Sequence, residues 1–316
     1  DHFDGTHFSA PEPLPSISFL SVLKWRMTSK RKSWTNWVDY QHGPTPVPEI
    51  EGKELKATFI NHSTFLLQTE GLNILTDPIW SERASPFSFM GPKRVHAPGI
   101  AFDQLPQIDA VVISHSHYDH LDIPTVKKLV AKDNPLFIVP LGVDTIIRKH
   151  VPSANIKAID WGSRVTLVNS VSVTAEPVLH WSARSLGDRN ETLWAAYAIT
   201  TPNGNIYFSG DTGYGSGKVF KETGKKYGGF RLALIAIGAY EPRWFMRPSH
   251  INPSESVKIF QDLNAAQAIG MHFGTFQLTD EGMDEPVNDL KTALAAAPVS
   301  PEKFHVLKPG ESLDIK

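Results

Sequence analysis

The run Asp109-Ala110-Val111-Val112-Ile113-Ser114 passes directly into His115-Ser116-His117-Tyr118-Asp119-His120. The apolar run reads as a buried strand. Four potential metal ligands follow it within six residues. A tight turn at a strand end can aim His115 and His117 one way and Asp119 and His120 another, which suits two neighbouring cations. The plain alternative is a solvated histidine loop. The density of ligands and the Asp-His tail argue against it.

Further donors are expected, because zinc takes about four ligands, with about three from protein when the site is catalytic. The chain offers them at comparable places: Asp77 after a strand at 74–76, His180 after 176–179, Asp211 in Ser209-Gly210-Asp211-Thr212-Gly213, and His272 after a strand at 266–270. Each of these five segments ends a strand on His or Asp. Strand ends of a layered sheet protein collect at one edge, so all five can converge there. The glycines beside Asp211 read as letting the turn close around the metals rather than as a phosphate cradle.

Composition narrows the classes. A chain of 316 residues suits one large α/β or β-rich domain. With no cysteine there is no disulfide, no thiolate ligand and no cysteine nucleophile. A net charge of -2 gives no global basic field, so nucleic acid is not the expected partner. No apolar run approaches the roughly 18 residues of a spanning helix. The chain starts at Asp1 without Met, which hides any signal or anchor upstream.

The pattern along the chain divides at residue 55. Residues 1–55 are proline-rich and carry Trp25, Trp34 and Trp37. From Pro13 to Val38 there is no acidic residue, while Lys24, Arg26, Lys30, Arg31 and Lys32 are basic. Phe19, Leu20, Leu23 and Met27 fit helical spacing. This stretch is too short and too broken by proline to hold its own core. It reads as an extension beside a main domain at 56–316, either meeting an anionic membrane surface over residues 16–38 or packing back on the domain. In the main domain, strands are expected over 57–60, 64–69, 73–76, 109–114, 136–139, 165–168, 171–175, 193–200, 205–209, 232–237 and 266–270. A helix is expected from a cap at Asp122 to about Lys132, another over 144–149, and a third behind the capping box Asn252-Pro253-Ser254-Glu255. No short-period repeat is visible. The order suggests a sandwich of two sheets with outer helices.

The order Asp, His-x-His-x-Asp-His, His, Asp, His resembles the metallo-β-lactamase superfamily. The resemblance implies an α/β fold, an αββα sandwich of two mixed sheets flanked by helices, with a dinuclear metal centre at the sheet edge. It implies His115, His117 and His180 as ligands of the first metal, Asp119, His120 and His272 as ligands of the second, and Asp211 as the bridging carboxylate. Asp77 would orient a ligand histidine. Two Zn2+ ions suit this imidazole and carboxylate set best, and Fe or Mn is tolerated by it. Two cations about 3.5–4 Å apart lower the pKa of a shared water, which removes the need for a serine or cysteine nucleophile.

Leu75-Thr76-Asp77-Pro78-Ile79-Trp80, Leu179-His180-Trp181-Ser182, Gly210-Asp211-Thr212-Gly213-Tyr214, Gly238-Ala239-Tyr240-Glu241-Pro242-Arg243-Trp244-Phe245-Met246 and His272-Phe273-Gly274-Thr275-Phe276 resemble the N-acyl-phosphatidylethanolamine phospholipase D branch over most of residues 56–280. That resemblance implies a phosphodiesterase acting on a phospholipid by a hydroxide shared between the metals, a homodimer, and a place in the cell envelope or on a membrane periphery. The catalytic set would be Asp119, Asp211 and His250, with His250 contacting phosphate or serving as general acid. Trp244, Phe245 and Met246 would line an acyl groove, their alternative being plain core. His62 reads as a core or ligand-orienting histidine. His2, His7, His42, His96, His150 and His305 read as structural or surface residues. Two other functions stay open: a lactonase or other acyl hydrolase on the same centre, and a membrane-surface binding protein with a vestigial site. A complete set of seven ligands argues against the last.

Overall fold

A computed structural model describes residues 2–15 and 19–315. Two seven-stranded sheets form its centre. The first holds β1 (Leu55–Asn61), β2 (Thr64–Thr69), β3 (Leu72–Thr76), β4 (Ala110–Val112), β5 (Leu136–Pro140), β6 (Ile156–Ile159) and β14 (Ser312–Ile315), in the order β14-β1-β2-β3-β4-β5-β6. The second holds β7 (Arg164–Thr166), β8 (Ser172–Glu176), β9 (Ala196–Thr201), β10 (Gly204–Phe208), β11 (Phe230–Ala236), β12 (Ala265–Met271) and β13 (Phe304–His305), in the order β13-β12-β11-β10-β9-β8-β7. In each sheet one half is antiparallel and the other parallel. Asp77 leaves β3 and Asp211 leaves β10, and each of these strands is the one where antiparallel pairing gives way to parallel. The two carboxylates therefore occupy corresponding places in the two halves, a repeat of topology that the sequence conceals.

Strands β1 to β5 of the first sheet are buried at nearly every position because both faces are covered. Phe65, Leu67, Ile74, Ala110, Val112 and Ile138 pack toward the second sheet. Their neighbours Leu66, Leu75, Val111, Phe137 and Val139 pack outward. There they meet Val126 and Leu129 of α2 (Ile123–Lys132) and Val143 and Ile147 of α3 (Val143–His150). The second sheet is covered by α6 (Pro253–Asp262) and α7 (Glu285–Ala296), through residues such as Ile259 and Leu290. The Tyr197 hydroxyl donates to the carbonyls of Ile113 and Ile138 and so ties the two sheets beside the buried strand β4.

Several expectations are modified. Asp122 stands at the start of α2 but does not cap its amides. Its carboxylate accepts instead from the Trp80 and Ser81 amides and the Ser81 hydroxyl of the loop after β3, and from the hydroxyl of Thr125 in the helix's own first turn. The capping box of α6 forms fully, Asn252 accepting from the Glu255 amide and Glu255 from that of Asn252. Three helices, α4 (Lys218–Tyr227), α5 (Arg243–Met246) and α7, and the strands β6, β13 and β14 lie outside the sequence expectations.

Upstream of β1 lies α1 (Phe19–Thr28). Residues 16–18 of the basic stretch fall outside the described residues. The arm is tied down by its tryptophans and by Asp280. Trp25 Nε1 donates to Asp280 and Trp34 Nε1 to the Glu281 carbonyl. Asp280 also accepts from Ser29 Oγ and the Lys30 amide. Leu20, Leu23 and Met27 face outward, 72%, 42% and 77% exposed. The packing-back reading holds for Trp25 and Trp34, while Trp37 and the aliphatic face of α1 are exposed. No helix among the described residues is long and apolar enough to cross a membrane.

Candidate metal centre

All five sequence segments meet at one edge of the sandwich. Asp77, at φ 33, turns its carboxylate under the histidine turn. One oxygen accepts from the Ser114 amide at 2.6 Å, and the other from Ser114 Oγ and His120 Nδ1, both at 2.6 Å. A buried carboxylate accepting three such bonds fixes the ring and tautomer of His120, leaving Nε2 free for a cation. His115 Nδ1 is held by Ser114 Oγ at 2.9 Å, and His180 Nδ1 by the Ser249 carbonyl at 3.0 Å.

The remaining ring nitrogens converge in two groups. In the first, His117 Nδ1 lies 2.8 Å from His115 Nε2 and 3.3 Å from His180 Nε2. In the second, His120 Nε2 and His272 Nε2 are 3.2 Å apart, and each lies 3.3 Å from Asp119 Oδ2. Asp211 Oδ2 faces both groups: it is 3.2 Å from His120, 3.1 Å from His272 and 3.9 Å from His180. Its other oxygen is buried without a hydrogen-bond partner.

The donor chemistry fits a cation pair. Three imidazoles turning nitrogens toward one point hydrogen-bond poorly to one another and make a good tridentate set. Burial, and then the neighbouring histidines, push His115 well below the ordinary histidine range. Burial likewise lowers His180 well below it and His117 to about 4. In the second group burial pulls His120 and His272 down, but the carboxylates outweigh it. Asp211, Asp119 and Asp77 hold His120 well above its usual range, and Asp211 with Asp119 raises His272 to about 9. Two carboxylates at one buried point demand positive charge, which a bound cation supplies.

Backbone geometry makes the convergence feasible. Gly210 has φ 54, and a Cβ there would stand 2.6 Å from the Ser114 Cβ. A Cβ on Gly213 would stand 2.3 Å from the Pro248 carbonyl oxygen. The sequence reading of these glycines as turn closers agrees with both contacts.

His250 Nδ1 lies 3.8 Å from Asp211 Oδ2, at the partly open side of the centre. Burial lowers it to about 4. It follows α5 (Arg243–Met246), on which Phe245 stacks against Trp25 of the arm with ring centroids 4.9 Å apart. Trp244 is exposed and Lys24 stands over its ring. The segment 244–246 thus joins the arm to the centre. A cavity of ≈ 440 Å³ opens beside the histidine turn, lined by Tyr118, Leu121, Phe87, Arg83 and Arg184. Arg184 Nη1 donates to the carbonyls of Ser116 and Leu121 and bridges the turn from outside. Sequence reasoning missed that brace, while His96, read as structural or surface, is structural, buried against Thr275 Oγ1. The topology held a signal for His62: a hairpin turn before β2 must lie at the edge where β3 ends.

The chain matches the family model described as a beta-lactamase superfamily domain over residues 72–273. An uncharacterised protein of Mycobacterium tuberculosis is 41% identical over 278 residues, covering 86% of this chain and 72% of that protein. The N-acyl-phosphatidylethanolamine-hydrolyzing phospholipase D 1 of Caenorhabditis elegans is 39% identical over 251 residues, covering 77% of this chain and 70% of the relative. Among solved structures, an isothiocyanate hydrolase from Delia radicum gut bacteria superposes with a TM-score of 0.64 at 19% identity, covering 82% of this chain and 98% of the other. This chain therefore belongs to the metallo-β-lactamase superfamily and, within it, to the N-acyl-phosphatidylethanolamine phospholipase D-like branch.

Proposed function

We propose that this hydrolase is a metal-dependent phosphodiesterase that cleaves N-acyl-phosphatidylethanolamine or a related phospholipid in the phospholipase D manner. The observation that carries the reading is the meeting of two donor groups on Asp211 Oδ2. In it, His115, His117 and His180 would hold one cation and Asp119, His120 and His272 a second, with Asp211 facing both groups. A cation pair there, zinc by ligand preference, would supply a nucleophilic water at neutral pH and polarise the phosphoryl oxygen.

The protein's own residues do the rest. Asp77 and Ser114 lock the orientation of His120 and His115. His250, beside the donors at the open side, contacts the phosphoryl group or returns a proton to the departing alkoxide. Water oxygen bonds to phosphorus, the bond from phosphorus to the head-group oxygen breaks, and the products are phosphatidic acid and an N-acylethanolamine. The relative of known activity, 39% identical, supports the substrate class.

Residues 1–55 act in this account as an arm on a hydrolase domain that begins at the first strand, Leu55 rather than Lys56. The arm's open face, Leu20, Leu23 and Met27, is flanked in sequence by Lys24, Arg26 and Lys30, while Arg31 and Lys32 pair with Asp280 and Glu285. It suits peripheral association with an anionic bilayer, where such an aggregated substrate resides.

Product analysis tests the reading. Metal-loaded protein is offered a phospholipid panel with ester and lactone panels beside it, before and after chelation. N-acylethanolamine and phosphatidic acid that vanish on chelation support it. Turnover of esters or lactones alone moves the function to acyl hydrolysis.

A further inference from the structure

We infer that His62 is a positioning residue for the second cation site, its Nε2–H donating to Asp119 Oδ2. This rests on the reading of Asp119 as a ligand. His62 sits in the turn between β1 and β2, 1% exposed, with Nε2 3.1 Å from Asp119 Oδ2. An ionised carboxylate only accepts, so the ring's single proton in its neutral form belongs on Nε2.

His62 grips the same site a second time through its backbone. Its carbonyl accepts from the His272 amide at 2.8 Å, and its own amide donates to Thr275 Oγ1 at 2.9 Å. The two rings lie with centroids 4.0 Å apart. One residue of the first sheet thus sets both a carboxylate and a histidine of the second donor group.

Two features of His62 are unusual, and the tight turn between β1 and β2 accounts for the first. Its backbone lies in the left-handed region at φ 48, where a non-glycine residue is uncommon. Its Nδ1 is buried with no hydrogen-bond partner. A buried polar atom without a partner is rare in a native fold and calls for an explanation, which a role at the site provides. A core residue without a role at the site would not require an imidazole there.

The alternative is that His62 Nε2 itself ligates, since it lies within reach of Asp119, His120 and His272. That form moves the proton to Nδ1 and buries an N–H with no acceptor. His115, His120 and His180 have Nδ1 held by a partner, whereas His272 Nδ1 and His117 Nε2 have none, so the position of the His62 proton is what separates the two forms.

Zinc competition with a chromophoric chelator, run on wild type, His62→Ala and His62→Gln, tests the inference. Loss of such an orienting contact weakens metal binding about 10–100-fold. The expectation is two zinc ions per chain in all three at saturation, with the weaker site of His62→Ala loosened by about that factor and that of His62→Gln, which keeps an N–H at the ε position, largely restored. Unchanged affinity in His62→Ala overturns it, and so does a loss of one zinc at saturation in both variants, which makes His62 a ligand. Long-range ¹⁵N–¹H correlation on the zinc-loaded wild type decides without relying on a variant's folding. An Nε2–H tautomer for His62 supports the inference, and an Nδ1–H tautomer refutes it. Wild-type protein that takes up no zinc instead refutes the metal reading beneath it.

Discussion

His250 separates substrate chemistry from metal binding because it stands next to both donor groups without completing either. Its Nδ1 lies 3.8 Å from Asp211 Oδ2, too far for a hydrogen bond. Positioned proton transfer contributes about 10²–10⁴-fold to rate. His250→Ala is therefore expected to lower turnover within that range while zinc content by elemental analysis stays at the wild-type value. Loss of zinc in that variant would make it a ligand, and unchanged kinetics would leave it a surface histidine. His96 carries a different prediction. Burial lowers it from 6.5 to about 4, with Nε2 at 3.0 Å from Thr275 Oγ1. The unfolded chain, with this ring near 6.5, takes up the proton first as pH falls. The neutral buried ring thus contributes stability that is full above about pH 6.5, is lost as pH drops toward 4, and stays lost below that. The span amounts to about 3 kcal/mol. Urea unfolding from pH 7.5 to 4 is expected to show a shallower decline in His96→Gln than in wild type. Parallel declines would contradict the assignment.

At the scale of elements, the arm is the part whose chemistry is split between two faces. Trp25 and Trp34 are spent on Asp280 and Glu281, so they are not free to enter a bilayer. The open face leaves Leu20, Leu23 and Met27 for contact and Lys24, Arg26 and Lys30 for attraction, since Arg31 pairs with Asp280 and Lys32 with Glu285. Each cation near an anionic surface contributes about 1 kcal/mol, screened by salt, so binding is expected to be reversible. Sedimentation with phosphatidylserine vesicles at low salt is expected to pellet the protein, with release on added salt. Serine at positions 20, 23 and 27 is expected to weaken binding without shifting the melting temperature, because these side chains are exposed. Protein that stays in the supernatant at low salt would remove the membrane role. The elements also show what a sequence can carry. Helices α2 and α6 announce themselves with proline in the first turn, and α6 with its box. Helix α4 does not, since Gly217, Gly224 and Gly228 break its pattern and are required by the Tyr214, Asp262 and Leu263 contacts and by left-handed turns at its two ends. Strand β14 has an exposed pattern with one buried residue, and only its pairing with β1 makes it a strand.

Across the molecule, the ligand edge was legible because each donor ends a strand, and strands announce themselves by apolar runs buried on both faces. What orients the donors was mostly not legible. Ser249 reaches His180 through a carbonyl, which any residue could provide. Arg184 reaches Ser116 and Leu121 across 68 and 63 residues of sequence. The first contact joins two loops of the second sheet and the Arg184 contacts need the two sheets stacked, both facts of the whole fold rather than of a local pattern. The same stacking places Asp211, from the second sheet, against His120, from the first, and on this the account depends. Hydrolysis of N-acyl-phosphatidylethanolamine in ¹⁸O-enriched water by the zinc-loaded chain is the most direct measurement. Attack at phosphorus predicts one ¹⁸O in phosphatidic acid and none in the N-acylethanolamine; label in a released fatty acid, or no chelator-sensitive product, would contradict it.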